Sequence, residues 1–334
     1  MLFLTLITSS TLISISSYSW LGMWLGLEIN LLSIMPLMQN TKSILSSESA
    51  IKYFIVQAIA STIIMASMIS LMTKTQLTSH VTLQSTFLLM MNSALLTKMG
   101  IAPFHFWFPE VMEGLDWMNC LLILTWQKIA PMILLMYNMN FNVFFTVVIM
   151  SSMVVSGMMG VNQMSMRKVL AYSSINHMGW MLSTMMIMET IWLYYFATYT
   201  LITINIVMIM NKYKIFFLNQ LFQTMNENPM TKMWFNVNFL SLSGIPPFLG
   251  FLPKWLTIQA LIQNSMIVLP VAMIILTLIT VFMYVRITLS TILMNINEQK
   301  WSQTSFYFNS TLMSMINFAA ISSLVLVTIM FNTG

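Results

Sequence analysis

Long stretches of this chain carry no charge. Uncharged runs cover residues 1–27, 53–73, 129–166, 190–211, 233–253, 255–285 and 301–334, and most are as long as the roughly 20 residues a helix needs to cross a bilayer. Apolar positions do not alternate with polar ones, as the strands of a membrane barrel would require. Read as helices, the runs predict eleven spans, near 2–18, 20–38, 51–72, 83–111, 115–137, 141–160, 169–188, 191–211, 233–262, 266–285 and 307–331. The predicted fold is therefore all-α, a polytopic membrane protein forming a single transmembrane domain over 1–331.

Two of these spans are interrupted in the same way. GIAPFHFWFPE at 100–110 and GIPPFLGFLPK at 244–254 both read Gly-Ile-x-Pro-Phe, three residues, then an apolar residue, Pro and a charge, offset by 144 positions. Gly and Pro there break a membrane helix near its middle. The two broken spans lie five crossings apart, so they run in opposite directions. This predicts two inverted five-helix repeats, each containing one broken helix, in a chain whose first half, 2–160, is broken near 98–109, whose second half, 169–285, is broken near 244–254, and whose C-terminal helix is 307–331. Broken helices in corresponding halves are a sequence sign of an ion path; kinks in two packed helices are the plainer alternative.

With 58% hydrophobic and 6% charged residues, the chain lacks a soluble surface, for which about 25% charge is usual. The few charges also orient it. Setting aside Lys98, Lys128 and Lys254 inside spans, eleven crossings place Lys42, Lys52, Arg167, Lys168, Lys212, Lys214, Lys232, Arg286 and Lys300 on the side of the N-terminus and only Lys74 opposite, the bias expected of a membrane protein. One early helix more or fewer would scramble that bias.

The charges inside the spans carry the candidate chemistry. Glu28 falls mid-way along the second span, Lys98 and Lys254 flank the two breaks, and Lys128 precedes Pro131 in the fifth. A charge facing lipid there would cost roughly 2.5–3.5 kcal/mol on the lenient insertion scale, so these side chains face protein or water. A static Glu28–Lys98 ion pair is one reading, but it leaves Lys128 and Lys254 without obvious partners. The excess of lysine suits a proton relay, because burial penalises an ammonium and a nearby carboxylate favours it. At an assumed separation of about 7 Å and an effective dielectric near 20, two ammonium groups repel by roughly 2.4 kcal/mol, close to what about 100 mV does to one proton. His105, inside the first break, ranks above His177 as a further proton carrier, though a lone membrane histidine often only packs. Gly22 and Gly26 form a small-residue face that would bring another helix close to Glu28.

No G-x-G-x-x-G and no P-loop occurs. Cys120 is the single cysteine, which excludes disulfides and a cysteine-ligated iron–sulfur cluster, and three scattered histidines argue against haem. The chain is built to move charge, not electrons.

KMGIAPFHFWFPEVMEG at 98–114, RKVLAYSSINHMGW at 167–180 and LSLSGIPPFLGFLPKW at 240–255 closely resemble the three signature segments of the antiporter-like subunits of respiratory complex I, which are similar to subunits of multisubunit cation/proton antiporters. The length and LGLEINLLSIMPL around Glu28 resemble the animal mitochondrial form, shorter than bacterial members by the first three helices. The resemblance implies that Glu28 and Lys98 match the glutamate and lysine of the first half-channel, Lys128 the central lysine, and Lys254 the ionisable residue of the second broken helix. It implies proton translocation coupled to NADH and ubiquinone chemistry, with NADH, FMN, iron–sulfur clusters and ubiquinone held by other subunits and no cofactor or metal by this chain. Implied partners are other complex I membrane subunits, especially chains 4 and 4L, accessory subunits, and lipids such as cardiolipin; no nucleic acid is expected. A structural membrane-arm subunit without its own proton path and a free-standing antiporter are the alternatives. The 38 methionines fit a mitochondrial code that reads an isoleucine codon as methionine, and no Arg-rich presequence stands at the start. These features predict a mitochondrial inner-membrane protein with its N-terminus towards the matrix.

Overall fold

Packing of small residues sets the first helix pair. The computed structural model describes residues 2–39, 43–74, 81–139, 142–225 and 229–293; the predicted span at 307–331 lies outside them. Helix α1 (Leu2–Ser16) buries Ser10, Thr11 and Ser14 against α2 (Trp20–Met38). These hydroxyls bond carbonyls of their own helix at 2.8–2.9 Å, so they present a small surface with no polar demand on the partner. A Cβ built on Gly26 would lie 2.7 Å from Ser14, and one on Gly22 would lie 2.9 Å from Ser17. The glycine face thus brings α1 against the helix that carries Glu28.

The helices that follow are α3 (Ile44–Lys74), α4 (Val81–Met99), α5 (Trp107–Gly114), α6 (Trp117–Leu124), α7 (Trp126–Met136), α8 (Asn142–Gly160), α9 (Met166–Met185), α10 (Glu189–Tyr213), α11 (Leu218–Met225), α12 (Pro229–Ser243), α13 (Phe251–Gln263) and α14 (Val268–Leu293). Among the described residues the one extended pairing is an isolated antiparallel bridge between Ser165 and Phe217. The chain divides into two compact units, Met1–Ser152 and Met153–Gly334. In the first, α3 packs on α2, α4 and α5, and α4 on α7; in the second, α9, α10, α12, α13 and α14 pack together.

Both interrupted spans are interrupted in the structure. The predicted 83–111 resolves into α4 and α5, and 233–262 into α12 and α13. The gaps, Gly100–Phe106 and Gly244–Gly250, coincide under the 144-residue offset. Each opens on a left-handed glycine, with φ of +72° at Gly100 and +76° at Gly244, a conformation that penalises any residue with a Cβ. The Ala102–Pro103 peptide is cis.

Among the described residues six helical stretches are long and apolar enough to cross a membrane: Trp20–Met38, Ile44–Thr73, Trp117–Met136, Asn142–Gly160, Glu189–Tyr213 and Val268–Leu293. Helix α9 is too polar to join them, yet all of it except Arg167 and Lys168 is buried. Its serines, Asn176 and His177 face protein, which is why an internal helix need not be the most apolar. The predicted 115–137 span is distorted at Thr125 (φ −115°, ψ −71°), between α6 and α7. Helix α11 was not expected; it is amphipathic and buries only Leu221 and Met225.

Candidate functional site

Breaking a helix away from water strips its last carbonyls of their usual donors, and others must replace them. At the first break the replacements are neutral. Thr97 O accepts from Gly100 N at 3.1 Å and from the Trp107 indole Nε1 at 3.1 Å. Leu96 O accepts from Ile101 N at 3.3 Å, Lys98 O from Gln57 Nε2 of α3 at 3.2 Å, and Ala102 O from Ser151 Oγ of α8 at 3.1 Å. The Lys98 ammonium is therefore not used to hold the backbone. It is 7% exposed and lines a cleft of about 20 Å³ together with Asn30, Tyr53, Gln57 and Gln127, room for about one water molecule.

Glu28 is half-buried on α2, and its carboxylate acts electrostatically on Lys98. The two do not form a contact ion pair among the described residues, and Glu28 Oε1 is sealed without a hydrogen bond. The static pair considered from sequence is thus not what the fold builds. Lys128, 2% exposed, projects from α7 with Nζ 5.2 Å from the centroid of the Phe108 ring on α5, within cation–π range. Local distortion brackets it: Thr125 Oγ1 bonds Leu121 O at 2.7 Å, Lys128 N bonds Thr125 O at 3.3 Å, and Pro131 offers no N–H to the carbonyl of Gln127. His105 is buried in the break, its ring 4.5 Å from that of Phe106.

At the second break the lysine itself is the replacement donor. Gly244 N bonds Ser241 O at 3.0 Å and Phe248 N bonds Ile245 O at 3.0 Å, while Lys254, from the first turn of α13, reaches back so that Nζ donates to Ser243 O at 2.7 Å. The ammonium also sits 5.8 Å from the centroid of the Trp180 ring on α9. A Cβ on Gly244 would come within 2.8 Å of the end of the Lys254 side chain, so the glycine needed there for φ also leaves room for the lysine to reach back.

Helix α9 also places His177, hydrogen-bonded through Nδ1 to the Tyr195 hydroxyl at 3.0 Å, with the Tyr199 ring 5.3 Å away. Asn176 Nδ2 donates to Thr280 Oγ1 at 3.2 Å. His177 thus sits among hydroxyl and amide groups of α9, α10 and α14. Sequence reasoning also passed over Asn30, Gln57 and Gln127. The signal was there: Asn30 stands two residues after Glu28 and Gln127 immediately before Lys128, both inside apolar runs. Among the described residues no group of three His, Cys, Asp or Glu side chains could hold a metal.

A family model described as NADH:quinone oxidoreductase/Mrp antiporter, TM, matches residues 17–280. The chain is 45% identical to NADH-ubiquinone oxidoreductase chain 2 of Anopheles gambiae, over 99% of this chain and 97% of that one. It is 39% identical to the protein of the same name from Lemur catta, over 89% of this chain and 88% of that one. In fold it is similar to a chain of respiratory complex I from Thermus thermophilus, with a TM-score of 0.82 at 22% identity, covering 97% of this chain and 76% of that one. A chain of the Mrp complex from Dietzia sp. DQ12-45-1b aligns with a TM-score of 0.72 at 16% identity, covering 85% and 59%. On the match across 17–280 and the identity along nearly its whole length, the chain belongs to the NADH:quinone oxidoreductase/Mrp antiporter family, among the NADH-ubiquinone oxidoreductase chain 2 proteins.

Proposed function

We propose that this chain is a proton-translocating membrane-arm subunit of respiratory complex I in the mitochondrial inner membrane, in which Glu28, Lys98, Lys128, Lys254 and His105 handle protons. The observation that carries the reading is Lys98: a buried ammonium at a helix break, free of any backbone task, beside a polar cleft and within the field of a carboxylate it does not touch. A charge so placed is costly and points to a functional site. An ionised Glu28 favours the charged form of Lys98, and neutralising or displacing that carboxylate favours release of a proton. Lys128, on α7 in the same unit, is the next acceptor.

In the second unit Lys254 is the exchanging group. Its hydrogen bond to Ser243 O survives either protonation state, since both ammonium and amine can donate, but it is stronger when charged. Such a lysine changes charge without letting go of the break. The matching seven-residue gaps and left-handed glycines support the inverted-repeat reading, and eleven crossings with the N-terminus on the matrix side remain our assignment for the whole chain. The partners we assign are the adjacent complex I membrane subunits, chains 4 and 4L among them, with accessory subunits and lipids such as cardiolipin; NADH, FMN, iron–sulfur and ubiquinone chemistry belongs to other subunits.

The first test is gentle solubilisation of the native membrane and separation of intact complexes on a native gel. This chain is expected to comigrate with rotenone-sensitive NADH-to-quinone activity; migration as a small separate species would favour an independent antiporter. The second uses the assembled complex in sealed vesicles carrying Lys98→Met or Lys128→Met. A lower proton-to-electron ratio is expected, whereas altered assembly with an unchanged ratio would make the subunit structural.

A further inference from the structure

Asn30 and Gln127 join α2 to α7 through two reciprocal hydrogen bonds. Asn30 Nδ2 donates to Gln127 Oε1 at 2.9 Å and Gln127 Nε2 donates to Asn30 Oδ1 at 3.1 Å. Both residues are at least nine-tenths buried. Paired amides satisfy one donor and one acceptor on each side, leaving one N–H and one lone-pair site per group for another partner. The pair forms part of the wall of the Lys98 cleft, and Lys128 is the residue next to Gln127.

The position of this pair is harder to explain by stability than by control. Two buried amides that satisfy each other contribute little net stability beyond an apolar contact of the same shape, so cohesion of α2 and α7 does not require them. Their chemistry does suit water. With the pair closed, a water in the cleft has Lys98, Gln57 and Tyr53 around it, while the amides of Asn30 and Gln127 are engaged with each other. With the pair parted, each amide exposes a donor and an acceptor that can hold a water reaching towards Lys128. The backbone on both sides of Gln127 departs from regular helix, since Pro131 withholds the helical N–H from the Gln127 carbonyl and Thr125 distorts the preceding turn.

We propose that the Asn30–Gln127 amide pair is a gate in the first unit, closed in this structure, whose parting lets a water chain connect the Lys98 cleft to Lys128. This rests on the lysine relay proposed above. The transfer balances: one N–H bond of the Lys98 ammonium breaks, one forms at a neutral Lys128 amine, and the intervening water is unchanged. Asn30 and Gln127 act as positioning residues, because neither takes the proton.

The test uses the assembled complex in sealed vesicles, comparing the wild type with Asn30→Leu, Gln127→Met, the exchange variant Asn30→Gln with Gln127→Asn, and Lys128→Met. The exchange conserves the summed length of the two arms and can rebuild the pair. Each single variant is expected to keep uncoupled NADH-to-quinone turnover while lowering the proton-to-electron ratio to the level of Lys128→Met, and the exchange variant to restore it. Single variants that assemble with a wild-type ratio, while Lys128→Met lowers it, would overturn the gate and leave the relay standing. A wild-type ratio in Lys128→Met would overturn the relay, and the gate with it. If the single variants fail to assemble, Asn30→Ser shortens one arm without adding volume; an unchanged ratio in that variant would equally sink the gate.

Discussion

The two helix breaks share a backbone and differ in what holds them together. Both span seven residues, both open on a left-handed glycine, and in both the glycine N–H bonds the carbonyl three residues back, Thr97 and Ser241 respectively. The first is completed by Trp107, Gln57 and Ser151, leaving Lys98 to the cleft. The second is completed by Lys254. The lysines also lie on opposite sides of their breaks: Lys98 precedes the glycine and Lys254 follows it, so Glu110 and not Lys98 occupies the position matching Lys254. Glu110 is exposed and bonds Lys52 at 3.0 Å. One motif thus serves two ends: in the first unit structure and charge are carried by different residues, and in the second by one.

The sharpest separation between the copies is at the last residue of each gap, where Phe106 matches Gly250. Phe106 is 73% exposed, whereas a Cβ on Gly250 would run into the Ser241 carbonyl. Gly250→Ala must move backbone and is expected to cost about 3 kcal/mol or more, read as loss of assembled complex on a native gel. Phe106→Ala should change stability by less than about 0.5 kcal/mol. Equal effects would mean that the two gaps are not packed differently.

Next comes the lysine contrast. Lys254→Met removes a charge-assisted bond and orphans the Ser243 carbonyl, a loss of about 1–3 kcal/mol, so the thermal midpoint of the assembled complex should fall along with proton transfer. Lys98→Met breaks no hydrogen bond to the backbone and should lower proton transfer at nearly wild-type stability. If Lys254→Met were as stable as Lys98→Met, the double duty of Lys254 would be wrong. Substituting the glycines refines this. Gly100→Ala and Gly244→Ala each incur about 1–2 kcal/mol for the left-handed backbone, and each methyl also presses on a neighbour: at 100 the Phe108 side chain that lies beneath Lys128, at 244 the Lys254 chain itself. Gly244→Ala, which touches the lysine directly, should reduce proton transfer per electron more than Gly100→Ala, which acts through a ring.

What sequence could show of this follows from how local each feature is. The span at 20–38 was read to the residue, and both breaks were placed because Gly and Pro announce them within a few positions. The partners of the freed carbonyls were not legible. Gln57 reaches Lys98 O across 41 positions and Ser151 reaches Ala102 O across 49, and no local pattern encodes such pairs. Helix α9 was found as a span, but its burial on every side was hidden, since apolarity tracks contact with lipid and not contact with protein. The distortion at Thr125 had no Gly or Pro within its own turn to mark it. Candidate charges were legible as types in forbidden places; the separation of Glu28 from Lys98, and the amides beside them, required three dimensions.

The smallest expected effect tests whether the two copies can be made alike. Trp107 matches Phe251, and the indole N–H is what distinguishes them at the break, since it donates to Thr97 O across ten positions. Trp107→Phe makes the first copy resemble the second. Thr97 O still accepts from Gly100 N, so no carbonyl is orphaned, and most of the aromatic packing against Tyr53, with ring centroids 5.7 Å apart, is kept. The cost should therefore lie near about 1 kcal/mol, the ordinary net value of a neutral hydrogen bond. A thermal-denaturation shift of that size with an unchanged proton-to-electron ratio would show that the first break is held by neutral groups independently of Lys98. If instead the ratio fell, the indole bond would be coupled to the state of Lys98, and the division of structure from charge in the first unit would fail.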